Sequence, residues 1–495
     1  MAIVGDTERW HAGRILATHA TMAELLTADI CVIGAGAGGL SVAVAAAALK
    51  VPVVLIENAR MGGDCLNTGC VPSKALLAAG KRAETVRRGM PFGLAPASLV
   101  VDFARVHQHV EGVMATLAPK DSVERLVGLG VRVIAGTGRF VDPDTVAVGD
   151  DIKIRARRVV IATGSRPAVP PIAGLAQVPY LTNETIFGLA ECPRHLIVIG
   201  AGPGGLELAQ AHRRLGAEVT VLEAATALSQ QDPECAAIVL DQLRREGIAI
   251  QEGVAVEGVD HGSNIRIRIA APRGERVIEG SHVLIATGRR PRVEGLDLRA
   301  AGIASGPNGI KVDRRLLTTN RRVYAIGDVT GGPQFTHVSN YHAGLVIRNA
   351  LFRLPIDRYA GVIPAVIYTD PELAQVGLTA DQARARYRSI RVLRWPYDDN
   401  DRAQAERDTC GHIKVVTGRY GRILGATVVG AQAGELITTW TLAVVQKLGV
   451  RALAGLVVPY PTLSEVGKRA AMTYFMPNLT NPWVQRIIGV LRRLG

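Results

Sequence analysis

The chain has 495 residues, a formal net charge of +13 and 48% hydrophobic residues. A chain of this length is expected to form roughly three domains with sizeable cores. The basic excess consists mostly of arginines scattered along the chain, without the basic stripe or aromatic platform that nucleic-acid binding needs. We therefore expect no nucleic-acid partner.

Cysteine content and hydropathy constrain the compartment. Six cysteines in so long a chain do not make a disulfide scaffold, which indicates a reducing compartment and a cytoplasmic location. No apolar run free of charge and proline reaches the roughly 18 residues of a membrane span. Residues 1–28 lack a long apolar core and carry Asp6, Glu8 and Glu24, so they predict an N-terminal extension rather than a signal peptide. Met22 is an alternative start.

The segment from Ala28 to Glu57 predicts a strand, a tight turn, a helix and a second strand. Its turn contains Gly34, Gly36 and Gly39 at the spacing of a dinucleotide-binding loop. Glycines there permit a sharp turn and a close approach to a pyrophosphate, which then faces the N-terminus of the helix. Glu57 ends the second strand, where an acid can bind a ribose hydroxyl.

The next stretch, GGDCLNTGCVPSK, places Cys65 and Cys70 five positions apart. No further Cys or His lies near enough for a zinc site, and a structural staple does not suit a reducing compartment. These considerations favour a redox-active pair. On a regular helix the two side chains would point about 140° apart, so a bond between them needs a distorted backbone, which Gly69 permits.

The dinucleotide pattern recurs later in the chain. HLIVIGAGPGGLELA places Gly200, Gly202 and Gly205 after a strand, and the strand VTVLE ends at Glu223. Two copies predict two dinucleotides; the alternative is one working site and one decayed copy. The acid at position 223 favours a free 2′-hydroxyl, and therefore NADH over NADPH.

Three further segments predict strands that run into turns at the edge of a nucleotide fold. VVIATGSRP contains Thr163 and Gly164, and VLIATGRRP contains Gly288, which we take as cofactor-binding candidates. VYAIGDV places Asp328 at the end of a strand. Its carboxylate either holds polyol hydroxyls of a cofactor or caps a helix.

Together these motifs make the chain resemble the flavoprotein disulfide reductases, which include dihydrolipoamide dehydrogenase, glutathione reductase and mercuric reductase. The cysteine block, two glycine turns, two ATG turns, AIGDV and the late PTLSE occur in the order of that family, from about Asp29 to about Phe475. QFTHVSNYHAGLVIRNALF and VPYPTLSE are most similar to the mercuric reductase-like branch.

The resemblance implies an α/β fold with two nested Rossmann-like dinucleotide-binding domains and a C-terminal α+β dimerisation domain. FAD would bind the first domain, with Gly63 beside it, and NADH or NADPH the second. Electrons would pass from the nicotinamide through FAD to the disulfide, with Cys70 against the flavin and Cys65 facing the substrate. Lys74 would pair with Glu207 beside the flavin ring.

The resemblance also implies domain boundaries and a homodimer in which Tyr460 and Glu465 reach the active site of the partner subunit. The expected segments are an extension (1–28), an FAD-binding domain in two parts (29–170 and 289–355), an NAD(P)H-binding domain (171–288), a dimerisation domain (356–476) and a basic tail (477–495).

The chain departs from the family pattern in several places. Disulfide-exchanging members carry a histidine where this chain has Tyr460, and a tyrosine with a pKa of about 10 is a poor proton shuttle near neutral pH. Mercuric reductases also carry a tyrosine there, but they have a C-terminal cysteine pair, whereas no cysteine follows Cys410 here. Asp64, next to Cys65, is expected to disfavour a thiolate at that cysteine.

The tail NPWVQRIIGVLRRLG predicts an amphipathic helix. Trp483, Val484, Ile487, Ile488 and Leu491 share one face, and three arginines largely occupy the other. The helix either docks on the surface of the protein or touches an anionic membrane or a membrane partner.

The main functional hypothesis is a mercuric reductase-like enzyme that passes electrons from NAD(P)H to a small-molecule or thiol-bound acceptor. The acceptor is either a thiol-reactive compound or a soft metal ion, and we expect no bound metal cofactor. The alternatives are a dihydrolipoamide dehydrogenase and a non-catalytic flavin-containing subunit that senses redox state or docks on a membrane.

Overall fold

The computed structural model describes residues 24–95, 99–271, 274–359 and 361–493. Positions 1–23 of the expected extension, with the alternative start Met22, lie outside the described residues. The strands are, in chain order, β1 (Glu24–Ile33), β2 (Val53–Glu57), β3 (Arg132–Ala135), β4 (Gly138–Phe140), β5 (Thr145–Val148), β6 (Ile152–Ile161), β7 (Ser165–Pro167), β8 (Tyr180–Leu181), β9 (His195–Ile199), β10 (Glu218–Glu223), β11 (Ala249–Glu252), β12 (Ala255–His261), β13 (Ile265–Ala271), β14 (Gly274–Gly280), β15 (His282–Ile285), β16 (Arg289–Pro291), β17 (Ser305–Gly306), β18 (Gly309–Ile310), β19 (Val323–Ala325), β20 (Ala365–Ile367), β21 (Glu372–Gly377), β22 (Arg391–Pro396), β23 (His412–Thr417) and β24 (Ile423–Gly430).

The α-helices among the described residues are α1 (Ala37–Ala48), α2 (Gly63–Asn67), α3 (Cys70–Arg87), α4 (Phe103–Leu117), α5 (Val123–Gly128), α6 (Pro203–Leu215), α7 (Pro233–Arg245), α8 (Thr336–Phe352), α9 (Ala380–Arg386), α10 (Asp401–Glu406), α11 (Ala433–Val445), α12 (Val450–Ala454), α13 (Ser464–Thr473), α14 (Met476–Leu479) and α15 (Pro482–Leu491). None of these helices is long and apolar enough to cross a membrane.

The first sheet is built from two distant parts of the chain. Its strands lie in the order β3-β2-β1-β6-β5-β4, and β19 pairs with β6. β1 is parallel to both β2 and β6, and Ile30, Cys31 and Val32 near its C-terminal end are fully buried. An apolar strand buried on both faces is typical of a parallel sheet.

Strand β1 begins earlier than the expected end of the N-terminal extension at residue 28. Residues 24–28 pair in parallel with residues 152–156 of β6. The strand extends past its buried part because backbone pairing with β6 requires no apolar side chain. Leu25 is accordingly exposed.

The second sheet is inserted between β6 and β19. Its strands lie in the order β11-β10-β9-β15-β8 and are all parallel. The chain leaves the first sheet through β7 and returns through β16, and these two short strands form an antiparallel ribbon. The expected nesting of one nucleotide fold inside the other is therefore present.

The third sheet is antiparallel, in the order β20-β21-β24-β23-β22. Its core includes Val415 and Val428 from the sheet, Trp440 from α11 and Val466 from α13. The helices α14 and α15 come after this unit at the C-terminal end of the described chain.

Candidate active site

The two glycine-rich turns have the same backbone geometry. Gly34 and Gly200 have φ angles of +105° and +109°, which favour glycine. A Cβ atom on Gly39 would lie 1.8 Å from the carbonyl oxygen of Gly34, and one on Gly205 would lie 2.2 Å from that of Gly200. The third glycine of each turn therefore lets the helix pack directly on the turn.

The acid at the end of each second strand binds the backbone of its own fold. Glu57 accepts hydrogen bonds from the amides of Ala35 and Ala59 at 2.6 and 2.8 Å. Glu223 accepts from two backbone amides in the same way, at 2.8 and 2.9 Å. Both carboxylates are thereby held at the edge of the turn, where a ribose would lie.

Both turns open onto one cavity of about 1570 Å³. It contains most of the site residues expected from the sequence, whereas Gly39 packs beneath it. The expected residues on its wall are Gly34, Gly36, Glu57, Gly63, Cys65, Cys70, Lys74, Thr163, Gly164, Gly200, Gly202, Gly205, Glu207, Glu223, Gly288 and Asp328.

The cavity fits two dinucleotides. Helices α1 and α6 both begin without a side-chain cap, so the free N–H groups of their first turns can hold pyrophosphate. A Cβ on Gly63 would lie 2.7 Å from the Cα of Gly36, so glycine is needed where the redox segment crosses the first turn.

The redox segment is broken between its two cysteines. Helix α2 ends at Asn67 and α3 begins at Cys70, with Gly69 in a non-helical conformation between them. A Cβ on Gly69 would lie 2.9 Å from the carbonyl oxygen of Asp64. The distortion that a bond between Cys65 and Cys70 requires is therefore present, and the two thiols interact.

The surroundings of the two thiols make them unequal. A hydrogen bond from Cys65 lowers the pKa of Cys70 to about 6, against the effect of burial, and Thr336 and Lys74 act in the same direction. The Cys70 sulfur lies 3.3 Å from the Thr336 hydroxyl, where the N-termini of α3 and α8 meet. The interaction with Cys70 and burial raise the pKa of Cys65. In the reduced pair Cys70 thus carries the negative charge and Cys65 the proton.

Lys74 is fixed by a buried partner. Its ammonium group donates to Glu207 at 2.7 Å, which is the pairing expected from the sequence. The other oxygen of Glu207 accepts from the backbone amide of Tyr368 at 2.9 Å, and the ammonium lies 4.3 Å from the centre of the Tyr368 ring. The positive charge is therefore held at one place on the cavity wall.

A polar cluster joins helix α6, which carries Glu207, to the loop between β20 and β21 of the third sheet. Gln210 exchanges two hydrogen bonds of 2.8 Å with the backbone of Asp370. Arg214 donates to the Asp370 carboxylate at 2.9 Å and to both oxygens of Glu246 at 2.8 and 2.7 Å. Arg214 is 4% exposed, so this cluster is a buried one. We call Gln210, Arg214, Glu246 and Asp370 the α6 clamp.

Asp64 does not act as expected. Its carboxylate forms an ion pair with Arg289 and accepts from the Thr68 hydroxyl at 2.8 Å. The expectation that Asp64 disfavours a Cys65 thiolate is wrong, because Arg289 neutralises this carboxylate. The carboxylate that contributes to the raised pKa of Cys65, after the interaction with Cys70 and burial, is Asp121.

Asp328 lies on the cavity wall within the short 3-10 helix Gly327–Thr330, which has no side-chain cap. It accepts a hydrogen bond of 2.6 Å from the Ser165 hydroxyl, and Arg289 donates to the same hydroxyl at 2.8 Å. The capping alternative is therefore wrong, and the carboxylate remains available to a cofactor in the cavity.

Tyr460 and Glu465 do not line the cavity of their own protomer. Tyr460 is 70% exposed, and its hydroxyl donates to Asp401 at 2.6 Å. This hydrogen bond raises the pKa of Tyr460. Glu465 lies in the first turn of α13.

Sequence reasoning missed three residues on the cavity wall, Thr336, Tyr368 and Arg289, and it missed Asp401, which binds Tyr460 away from the cavity. Thr336 and Arg289 stand inside segments that were singled out, QFTHVS and ATGRRP, but no pattern showed what they contact. Tyr368 and Asp401 carry no sequence signal, because each reaches its partner only through the packing of distant elements.

The fold and the site define a pyridine nucleotide-dependent flavoprotein with a redox-active dithiol. Residues 28–343 match the pyridine nucleotide-disulphide oxidoreductase family, and residues 363–471 match the dimerisation domain of the same family. The chain belongs to this family, among the class I flavoprotein disulfide reductases, and it is an enzyme that uses FAD and NAD(P)H.

The similar proteins include two kinds of enzyme. A mercuric reductase from Bacillus cereus is 37% identical over 450 residues, which cover 90% of this chain and 71% of that protein. A dihydrolipoyl dehydrogenase from Geobacillus stearothermophilus is 33% identical over 451 residues, covering 90% and 95%. The solved structure of RclA from Escherichia coli, an HOCl-induced flavoprotein disulfide reductase, has a TM-score of 0.81 and 29% identity, covering 90% and 99%.

Proposed function

We propose that this enzyme passes electrons from NADH through Cys65 and Cys70 to a thiol-reactive or soft-metal acceptor. The observation that carries the proposal is the state of Tyr460. It stands where disulfide-exchanging relatives have a histidine, and its hydroxyl donates to Asp401. A phenol with a raised pKa does not exchange protons with a leaving thiolate near neutral pH.

The reducing half of the reaction needs no further proton donor. Bound FAD supplies a two-electron relay between the nicotinamide and the disulfide. NADH gives up two electrons and one proton to become NAD⁺, and the disulfide takes them to become one thiolate and one thiol. The thiolate forms at Cys70, beside Thr336 and Lys74, and the proton stays on Cys65, which matches the pKa order of the reduced pair.

The oxidising half suits a soft divalent cation. Thiolate sulfur selects such metals, and a pair of sulfurs can hold one between them. The dithiol gives up two electrons, either to one Hg(II) that becomes Hg(0) or to two Cu(II) that become Cu(I). The disulfide closes, and the Cys65 proton is released. A similar protein, RclA from Escherichia coli, has been solved as a Cu(II) complex.

The choice of NADH depends on Glu223. Its carboxylate is fixed by two backbone amides at the end of β10, where a 2′-phosphate would meet a negative charge. We place the enzyme in the cytoplasm, because its cysteine chemistry needs a reducing compartment.

We also propose that the working unit is a homodimer. The match to a dimerisation domain supports it, and so does the position of Tyr460 and Glu465 away from the cavity of their own protomer. Sedimentation should give about twice the chain mass of 52.5 kDa.

An acceptor screen tests the proposal. Purified holoenzyme is mixed with NADH and, separately, thiol-bound Hg(II), Cu(II), lipoamide and glutathione disulfide. The metal ions should be reduced faster than either disulfide. Faster reduction of lipoamide at neutral pH would instead favour a dihydrolipoyl dehydrogenase activity. If no acceptor supported NADH oxidation, a non-catalytic role would be favoured.

The variant Tyr460→His sharpens this screen. A histidine with a pKa near 6.5 can shuttle a proton at neutral pH, so lipoamide turnover should rise by about tenfold or more while metal reduction changes little. Tyr460→Phe is the matched control and should give no such gain. If lipoamide turnover is the same in all three proteins, position 460 does not decide the acceptor.

A further inference from the structure

The end of the described chain exposes a row of large apolar side chains. Helix α15 packs none of its residues into a core, and its N-cap is the side chain of Asn481. The exposed apolar residues of α14 and α15 are Met476, Leu479, Trp483, Ile487, Ile488, Val490 and Leu491. We call them the tail face.

The helix is amphipathic, with cations beside its apolar side. At about 100° per residue, Trp483, Ile487 and Leu491 fall on one side of α15. Arg486 lies about 60° from Trp483 at the edge of this side, and its guanidinium carbon is 5.7 Å from the centre of the indole ring. Arg492 and Arg493 directly follow the last residue of α15, and both are exposed.

Charge in this region has one sign. Between residues 466 and 493 the chain has no Asp or Glu. The same stretch holds the basic residues Lys468, Arg469, Arg486, Arg492 and Arg493. An occupant that complements the tail face is therefore apolar where it meets the helix and anionic around it.

Two observations weigh against a second copy of this chain as the occupant. The match to the dimerisation domain of the family ends at residue 471, before the tail face begins. Two tails related by a two-fold axis would also bring arginines of the same sign together, which costs free energy.

Helix length decides how such a face can meet a bilayer. Ten residues make a helix of about 15 Å, half the thickness of a bilayer core, so α15 cannot span it. A short helix with an apolar face, a tryptophan and flanking arginines suits the boundary between headgroups and acyl chains.

We propose that the tail face docks the enzyme on an anionic lipid surface, with α15 lying in the plane of the bilayer. This docking is independent of the acceptor, and no residue of the tail face lines the cavity. It would bring the enzyme to a membrane although no helix among the described residues can cross one.

Vesicle flotation of the full-length holoenzyme tests the proposal. The protein should float with vesicles of phosphatidylglycerol and phosphatidylcholine and stay at the bottom with phosphatidylcholine alone. Added salt should weaken the binding, because exposed charges are screened.

Two tail variants separate the apolar and the charged contributions. Ile487→Ser/Leu491→Ser and Arg486→Gln/Arg492→Gln/Arg493→Gln should each lower the bound fraction by at least about tenfold. The matched control, Arg384→Gln/Arg386→Gln/Arg388→Gln, removes three exposed positive charges elsewhere and should bind like the wild type. NADH oxidation in solution should be the same in all four proteins.

Three outcomes would overturn the proposal. The wild-type protein does not bind anionic vesicles, both tail variants still bind them, or light scattering shows that the tail variants are no longer dimers. The last outcome would make the tail face a contact between subunits.

Discussion

The two glycine-rich turns form a natural comparison, because they share a backbone geometry and lead into different segments of the chain. Each has a left-handed first glycine, a third glycine packed on the first, and an acid that binds two backbone amides. After β2 the chain enters the redox segment through Gly62 and Gly63, both with positive φ. After β10 it enters α7, which is capped by Asp232. The glycine-rich turn is thus repeated, whereas the segment with Cys65 and Cys70 follows the first copy only.

The helices that begin at the two turns are also held differently. Val42, Ala43 and Ala46 of α1 pack in an apolar cluster with Val346 and Ala350 of α8. Helix α6 also packs in an apolar cluster, through Leu206, Ala209 and Leu215, and the α6 clamp holds it in addition. It carries the glutamate that fixes Lys74. Helix α1 thus packs on α8, and α6 links the second glycine-rich turn to the loop between β20 and β21.

Breaking each turn at its third glycine should have the largest effect. In Gly39→Ala and Gly205→Ala the new Cβ would lie 1.8 and 2.2 Å from a backbone oxygen, so the turn cannot keep its shape. Gly39→Ala should purify without yellow colour. Gly205→Ala should keep its flavin but lose reduction by NADH, both read by absorbance.

Gly204→Ala is the control for this pair, since a Cβ there would meet no atom within 4 Å. It should keep both flavin and NADH reduction. If Gly39→Ala retained flavin and Gly205→Ala lost it, the assignment of the two folds would be reversed.

Breaking the α6 clamp should cost stability. In Arg214→Met the carboxylates of Glu246 and Asp370 lose their buried cation, which should lower the free energy of unfolding by about 3 kcal/mol. Urea unfolding followed by circular dichroism measures the loss. Arg244→Met, which removes exposed ion pairs with Asp241 and Glu252, should cost less than about 1 kcal/mol. An equal loss of unfolding free energy in the two variants would show that the buried α6 clamp stabilises the protein no more than the exposed ion pairs of Arg244 do.

Removing the acid from one turn at a time should separate the two cofactors. Glu223→Gln should raise the KM for NADH by about tenfold, because a charged hydrogen-bond acceptor is lost. It should also reduce the preference of the enzyme for NADH over NADPH. Glu57→Gln should leave that KM unchanged and weaken flavin retention on dialysis. A KM for NADH that responds to Glu57 and not to Glu223 would contradict the assignment.

The smallest expected effect concerns the redox segment. Thr336→Val removes a hydrogen bond that lowers the pKa of Cys70, so that pKa should rise from about 6 by roughly one unit. A thiolate is lost as the pH falls through its pKa. The reduced holoenzyme should show a long-wavelength absorption band that arises from the Cys70 thiolate beside the flavin. This band should therefore fall to half its intensity near pH 6 in the wild type and near pH 7 in the variant.

Thr336→Ser keeps the hydroxyl and should restore the wild-type midpoint. An unchanged midpoint in Thr336→Val would show that the hydroxyl does not act on the Cys70 thiolate.

Local sequence patterns were enough to predict the parts of the site that lie within one short segment. The glycine turns, Glu57, Glu223 and the break at Gly69 depend on backbone rules that act over a few residues. The pairing of Lys74 with Glu207 spans 133 positions and was expected only because the motif order resembled a family.

Contacts between distant elements could not be predicted. Thr336 reaches Cys70 because α8 begins where α3 begins, and Arg289 reaches Asp64 because β16 pairs with β7. Adjacency in sequence misled the interpretation of Asp64, whose charge is neutralised by a residue 225 positions away. The early start of β1 was missed for the same reason, since its partner β6 lies far along the chain.

The central claim is that electrons from NADH reach the sulfurs of Cys65 and Cys70. Oxidised holoenzyme is treated anaerobically with NADH, quenched with N-ethylmaleimide in denaturant, and mapped by mass spectrometry beside a sample without NADH. We predict that Cys65 and Cys70 are labelled only after NADH, while Cys31, Cys192, Cys235 and Cys410 are labelled in both samples. Flavin that is bleached by NADH while Cys65 and Cys70 stay unlabelled would contradict the claim.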